Sequence, residues 1–162
     1  QEILTAMKKA GCIEIVYGVE SGSEKILKAM NKKITLGQIH KALDAAYSVG
    51  IKIKIFLIHG FPGENAETTQ ETMNFLKQVA PKIHRVSLFR FVPLPGTHVH
   101  KHFEKFQLQV GDFNYASHDW SKYHIHHNNY HWWGTTSDFQ EMAKAYDELE
   151  EFVQTRWPSR FS

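Results

Sequence analysis

Three short glycine-containing segments hold the residues of this sequence that could do chemistry. They read Gly18-Val-Glu-Ser-Gly-Ser23, Gly60-Phe-Pro-Gly-Glu64 and Pro93-Leu-Pro-Gly-Thr97, and each follows an apolar run of strand length. The carboxylate of Glu20 can accept hydrogen bonds from the two hydroxyls of a ribose, and glycines allow the main chain to approach a ligand closely. These segments predict a small-molecule site made of one acid and exposed backbone groups.

Each segment also has a purely structural interpretation. Glu20 fits an acid in the first turn of a helix, where the helix dipole favours negative charge. The second segment fits an ordinary turn with Glu64 as a solvated acid, and the third fits a simple strand terminator. The residues alone leave both interpretations open at Glu20, and they favour the structural one at the two later segments.

Strands and helices must bring these segments together. Apolar runs predict strands over residues 12–19, 51–58 and 86–92, and helical periodicity follows the first two. Four pairs have the spacing of a capping box at a helix start: Ser21/Glu24, Thr35/Gln38, Thr68/Glu71 and Ser137/Gln140. Right-handed crossovers make such strands parallel. The fold class is therefore α/β, with the three segments at the carboxyl ends of the strands.

One face of the predicted sheet carries charges. Alternation places four residues of the first strand on that face, namely Glu14, Val16, Gly18 and Glu20. Lys52 and Lys54 of the second strand share it. Because buried charges need partners, we expect Glu14 to face Lys52 or Lys54; the alternative is a face open to water.

Composition narrows the class of protein. A chain of 162 residues supports one domain, and its net charge of +2 with scattered basic residues predicts no nucleic-acid surface. No apolar run approaches the roughly 20 residues that span a bilayer, so we expect no membrane partner. The single cysteine, Cys12, excludes an internal disulfide and favours the cytoplasm. The opening residues resemble the inside of a helix without a Met, which predicts an excised fragment.

A histidine-rich tract follows the third segment. Its histidines are His118, His124, His126, His127 and His131, interleaved with Trp and Tyr. Such a tract can bind zinc or lie beside an aromatic substrate. Adjacent histidines cannot both face one metal on a regular element, so we expect a packed aromatic cover and assign no metal ligand.

The order of the motifs resembles a known family. The string from Met7 to Lys32, the string from Phe56 to Glu64 and the string from Phe91 to Thr97 are together similar to the middle of a radical S-adenosylmethionine (SAM) domain. The resemblance covers residues 1 to about 98 and leaves residues 99–162 as a family-specific extension ending in a helix. It is closest in character to the cobalamin-binding subgroup, which includes anaerobic Mg-protoporphyrin IX monomethyl ester oxidative cyclases.

This resemblance implies half of a partial (β/α)6 TIM-like barrel, with three parallel strands and flanking helices. In the family, a CxxxCxxC loop holds a [4Fe–4S] cluster that converts SAM into a 5′-deoxyadenosyl radical. The three strands here match the fourth, fifth and sixth strands of the barrel. The positions matched to cofactor binding are Glu20, Ser21, Ile58, Gly60, Phe61, Pro62, Phe91 and Val92.

The sequence departs from the family in a way that is decisive for activity, because it lacks the cysteine triad, the glycine-rich loop for the methionyl amine and the cobalamin domain. A single cysteine cannot ligate the cluster as the family does. We therefore expect no catalytic residue in this fragment and only weak SAM binding, with SAM, [4Fe–4S] and cobalamin belonging to the parent enzyme and its small-molecule substrate. Two alternatives stay open: an α/β binding module that uses residues 98–134, and a metal or haem carrier. Open sheet edges predict a homodimer, or an edge covered by the tail.

Overall fold

A computed structural model describes residues 2–94, 96–106 and 139–158 of the chain. The helices are α1 (Glu2–Lys9), α2 (Glu24–Ala29), α3 (Leu36–Ser48), α4 (Ala66–Val79), α5 (His98–Lys101) and α6 (Phe139–Arg156), with a 3-10 turn at Glu104–Phe106. The strands are β1 (Glu14–Glu20), β2 (Lys52–His59) and β3 (Arg85–Arg90). Each predicted strand is present, with its ends shifted by one or two residues.

The three strands form one parallel sheet in the order β1-β2-β3. Ile15 lies opposite Ile53, and Ile55 lies opposite Val86. Helices occupy the connections, as right-handed crossovers between parallel strands require. The predicted α/β fold with three parallel strands and flanking helices is confirmed.

The sheet has one covered face and one open face. Ile53, Ile55 and Leu57 are at most 1% exposed and pack against α3 and α4 through residues such as Leu43 and Leu76. On the opposite face, residues of all three strands remain partly or largely exposed, among them Val16, Lys52, Phe56 and Phe89. The strand alternation in the sequence therefore separates the two faces correctly.

The capping boxes were predicted with mixed success. Thr35 and Gln38 form the expected box at the start of α3. Ser21 does not cap α2, which begins at Glu24 after Ser23; the Glu24 carboxylate instead accepts a hydrogen bond from the Leu36 N–H, at 2.7 Å.

The start of α4 also differs from the prediction. Thr68 and Glu71 do not form its capping box, because the helix begins at Ala66 and is capped by Asn65 with Thr68 as the reciprocal partner. Asn accepts hydrogen bonds from the free N–H groups of a first turn as well as Thr does, so the pair Asn65 and Thr68 forms the box instead of Thr68 and Glu71. Ser137 lies outside the described residues, and α6 begins at Phe139.

The far end of the chain reaches back to the sheet. Helix α6 packs on α4 and β3, and the Trp157 indole N–H donates to the Ile83 carbonyl at 3.2 Å. The histidines of residues 118–131 lie outside the described residues, so their predicted role stays a prediction, as does the division at residue 98. Among the residues described, no helix is long and apolar enough to cross a membrane.

The open edges give a first testable prediction. In the described sheet β1 and β3 are the edge strands, and Ile13 beside β1 is 76% exposed. Unpaired edges bind other strands, so we expect the chain to form a dimer that an Ile13→Lys substitution shifts toward monomer. Sedimentation equilibrium measures this, with Ile3→Lys on α1 as the matched exposed control. A wild-type monomer at all concentrations, with both edges accessible to exchange, would contradict it.

Candidate functional site

The carboxyl end of β1 carries the acid that the sequence singled out. A bulge between Gly18 and Glu20 interrupts the pairing with β2, and Glu20 adopts a positive φ of 68°. This conformation is uncommon outside glycine and is often found at functional sites. A Cβ atom on Gly18 would lie 2.5 Å from the Glu20 Oε1 atom. The carboxylate therefore covers the open face at Gly18, as the alternation predicted, and only glycine leaves room for it.

Lys32 completes this corner of the sheet. Its Nζ atom lies 3.0 Å from Glu20 Oε1 and donates to the Gly18 carbonyl at 3.2 Å. The side chains of Glu20 and Lys32 are 17% and 35% exposed, so a ligand can still reach both. The sequence reasoning missed Lys32, since a lysine after a short helix carries no signal of its own. We call the carboxyl end of the sheet, where the turns after the strands lie, the rim. At the rim, the anionic Glu20 and the cationic Lys32 meet beside Gly18.

Ser21 and Gly22 secure the same turn from beneath. Ser21 is 1% exposed; its hydroxyl lies 3.2 Å from the Thr72 hydroxyl and accepts from the Ser23 N–H. Gly22 donates its N–H to the Thr72 hydroxyl, at 3.1 Å. These contacts fasten the turn to α4. Ser21 therefore has a structural role, and its matched role in cofactor binding stays a prediction.

The turn after β2 is held by a buried acid. Gly60 and Gly63 take positive φ values of 89° and 94°, which glycine adopts freely. Glu64 is 3% exposed and accepts hydrogen bonds from the Gly60 N–H, at 2.5 Å, and from the Phe61 N–H. The expectation of a solvated Glu64 is wrong. Burial raises the pKa of Glu64 from 4.5 to about 7, against the lowering by the two backbone donors.

His59, the last residue of β2, is also buried. Its Nε2 atom lies 3.0 Å from the Thr69 hydroxyl, and its ring packs edge-on against Tyr146 with centroids 5.7 Å apart. Burial and then the positive charge of Arg90 lower the pKa of His59 from 6.5 to about 3. The imidazole is therefore neutral at physiological pH, and it positions the turn at Gly60 from the helix side of the sheet.

The other residues that the family resemblance matched to cofactor binding lie in three places near the rim: an apolar cluster, the open face of the sheet and the turn after β2. Phe61 is 9% exposed and packs edge-on against Phe91 with ring centroids 4.9 Å apart. Val92 is half-buried beside the same cluster. Ile58 is half-buried on the open face, opposite Phe89, and Pro62 is half-buried in the turn. The structure brings Glu20 and Ile58 to the open face and places Phe61 among apolar neighbours; binding of a ligand by these residues stays a prediction.

At the charged end of the open face, Glu14 faces Lys52 in the strand register as expected, but it does not form its ion pair with that lysine. The Glu14 carboxylate instead pairs with Arg85 across β2. The Arg85 Nε atom donates to Glu14 Oε2 at 3.0 Å, and a second guanidinium nitrogen contacts the other oxygen. A guanidinium forms two parallel hydrogen bonds with a carboxylate and an ammonium cannot, which explains why Arg85 displaces the lysines.

Comparison with known proteins identifies the amino-terminal part of this fold. Residues 1–76 match the family model described as the Radical SAM superfamily. The matched segment comprises 76 of the 162 residues, a little under half of the chain. The chain is similar in fold to coproporphyrinogen III oxidase from Escherichia coli, a structure described as a radical SAM enzyme, with a TM-score of 0.62, 18% identity and coverage of 96% of this chain and 29% of that one. At this identity the likeness concerns the fold, and it confirms the match to part of a TIM-like barrel.

The sequence relatives of this chain are longer proteins. A threonylcarbamoyladenosine tRNA methylthiotransferase from Thermotoga maritima is 34% identical over 100 residues, which is 59% of this chain and 23% of that protein. An uncharacterized methyltransferase from Pyrococcus horikoshii is 33% identical over 97 residues, 60% of this chain and 21% of that protein. The chain thus spans about a fifth of the length of these curated relatives.

The cofactors that the superfamily implies fit this chain unequally. The Glu20 carboxylate beside Gly18 suits the ribose hydroxyls of SAM. The sole cysteine, Cys12, lies just before β1, at the opposite end of that strand from Glu20, and its thiol contacts the Glu14 carbonyl at 3.4 Å. A [4Fe–4S] cluster needs several thiolates and does not fit the residues of this chain.

Proposed function

We propose that this chain forms the adenosyl-binding half of a radical SAM enzyme. The observation that carries the proposal is the Glu20 carboxylate, held over Gly18 at the carboxyl rim and still partly accessible. Ligands of parallel α/β folds bind at this end of the strands. The match of residues 1–76 to the radical SAM family model supports the same assignment.

The rim residues suit different parts of the SAM molecule. The Glu20 carboxylate accepts hydrogen bonds from the ribose hydroxyls. Lys32, which now neutralises Glu20, pairs with the carboxylate of the methionyl group. Ile58 contributes apolar contact beside the turn that Glu64 holds. In the parent enzyme, SAM bound here would supply adenosyl radical chemistry with an electron from the [4Fe–4S] cluster held there; the chain's own part is to bind and orient the nucleoside.

The identity of the parent reaction is part of this proposal. The relatives named above favour a parent that transfers a methyl or methylthio group. The resemblance to the cobalamin-binding subgroup and to the oxidative cyclases stays a prediction, as does an oxidoreductase activity. The parent enzyme, with thiolates for the cluster, would act on a small molecule in the cytoplasm; this fragment alone would be inactive.

Two nucleosides test the proposal on the 162-residue chain. 5′-Methylthioadenosine has the ribose and adenine without the amino acid, whereas S-adenosylhomocysteine has both. We expect Glu20→Gln to lower the affinity of the chain for both nucleosides about tenfold, because hydrogen bonds to a charged group are lost. Lys32→Met should lower only the affinity for S-adenosylhomocysteine, because 5′-methylthioadenosine lacks the carboxylate that pairs with Lys32. Amide chemical shifts followed by NMR during titration measure each affinity.

A matched control and a second variant sharpen this test. Glu71→Gln removes an exposed carboxylate from the surface of α4 and should leave both affinities unchanged. Gly18→Ala should reproduce the loss seen with Glu20→Gln, since the added methyl group displaces the carboxylate. Equal binding by wild type and Glu20→Gln would refute the proposal.

A further inference from the structure

The open face of the sheet combines an aromatic half with a basic half. Toward the carboxyl ends, Phe56 and Phe89 meet edge-to-face with ring centroids 5.4 Å apart, and Phe89 is 49% exposed. Ile58 lies between Phe56 and the rim, directly opposite Phe89 in the register. Exposed apolar patches of this kind mark binding surfaces.

Toward the amino ends, the same face is positively charged. Three cations lie there, namely Lys52, Lys54 and Arg85, against the single carboxylate of Glu14. Arg85 already holds both oxygens of that carboxylate. Within residues 2–94, 96–106 and 139–158, no ion pair is formed by Lys52 or Lys54. This half of the face therefore attracts an anion.

Lys54 joins the two halves. Its Nζ atom lies 5.0 Å from the centre of the Phe56 ring, so its ammonium group reaches toward the aromatic patch. Ile58 lies four positions beyond Lys54 along β2, so their Cα atoms are about 13 Å apart. Because the ammonium reaches toward Phe56, it lies nearer to the rim than this, and a flat molecule of two or three rings fits between the rim and the ammonium.

We infer that this face binds a flat, apolar small molecule that carries a carboxylate or another anionic group. The rings pack on Phe56 and Phe89, and the anion pairs with Lys54 and Lys52. This inference rests on the proposed function in one respect: such a ligand, placed beneath the nucleoside at Glu20, would be the substrate of the parent enzyme. It adds the chemical class of that substrate, which charge complementarity and the exposed rings specify.

Two fluorescent probes of the same shape test the inference. 8-Anilinonaphthalene-1-sulfonate carries an anion, and N-phenyl-1-naphthylamine lacks it. We expect the wild-type chain to bind the sulfonate more tightly than the neutral probe. Lys54→Gln should lower the affinity for the sulfonate about tenfold and change the affinity for the neutral probe by no more than about twofold. Phe89→Ala should lower the affinity for both probes, because both pack their rings on Phe89. Fluorescence titration gives the affinities, and thermal unfolding monitored by circular dichroism shows that each variant is folded.

A control and a second measurement keep the test decisive. Lys41→Gln removes an exposed lysine of α3 on the other side of the sheet and should change neither affinity. Amide shifts caused by the sulfonate should appear at Val16, Lys54 and Phe89. Shifts confined instead to the 200 Å³ groove between β1 and α3, lined by Tyr17 and Ala42, would overturn the inference. So would equal affinities of the two probes for the wild type.

Failure here is separable from failure of the proposed function. 5′-Methylthioadenosine binding depends on Glu20 and is measured on the same samples. Loss of the anion preference with intact nucleoside binding overturns the substrate class alone. Loss of nucleoside binding with an intact anion preference overturns the adenosyl assignment alone.

Discussion

A Glu64→Gln variant is expected to become more stable as pH rises from 4.5 to 6.5, whereas a His59→Gln variant becomes less stable over the same range. Burial raises the pKa of Glu64 to about 7, so the folded chain holds a proton that the unfolded chain releases above pH 4.5. The contribution of Glu64 is therefore complete below pH 4.5 and is lost as pH approaches 7.

His59 acts with the opposite sign. Burial and Arg90 lower the pKa of His59 to about 3. Between pH 3 and pH 6.5, His59 is therefore protonated in the unfolded chain and neutral in the folded chain. The contribution of His59 is therefore complete above pH 6.5 and is lost as pH falls toward 3. Each group changes the free energy of unfolding by about 1.4 kcal/mol per pH unit within its window. Between pH 4.5 and 6.5 the two contributions cancel in the wild type.

Urea unfolding at several pH values between 4 and 7.5 measures these slopes. The informative quantity is the difference between each variant and the wild type, because other titrating groups contribute equally to both. The double variant should return to the slope of the wild type. A Glu64→Gln difference that does not change with pH would show that Glu64 titrates normally, and the buried arrangement of the turn would then be incorrect.

The second large effect is expected at Gly22. A Cβ atom there would lie 2.6 Å from the Phe75 Cβ atom and 2.7 Å from the Thr72 Cα atom. Neither atom can yield without moving α4 away from the turn, and the hydrogen bond from Gly22 to the Thr72 hydroxyl would break as well. We expect Gly22→Ala to cost about 3 kcal/mol or more of unfolding free energy, in the range of severe overpacking.

Gly37→Ala is the matched control for this substitution. Gly37 lies in the first turn of α3, and the nearest atom to an added Cβ is the Thr35 hydroxyl oxygen at 3.8 Å. Alanine is the better helix former, so this variant should gain up to about 1 kcal/mol. Denaturant unfolding followed by circular dichroism measures both. Equal stability of the two variants would show that the turn does not approach α4 as closely as described.

The sequence was sufficient for the framework of this protein. Alternating apolar residues such as Ile53, Ile55 and Leu57 predicted both the second strand and its buried face, because side-chain direction alternates along any strand. The ordered motifs gave the resemblance to the radical SAM family, which the comparison of residues 1–76 bears out. Glu20 was singled out by its position at a strand end, and its carboxylate does lie on the predicted face.

Partners distant in the chain could be assigned only from the tertiary structure. Glu14 was matched to a lysine, but the hydrogen-bond geometry of Arg85, 71 residues away, decides the pair. Glu64 was expected in water, and only the three-dimensional turn shows it bound to the N–H groups of Gly60 and Phe61. The sequence by itself determined which residues belong to strands and which face is buried, because these follow from local periodicity. The tertiary structure alone decided which charges meet and how deeply they are buried, because those depend on contacts between segments that periodicity does not relate.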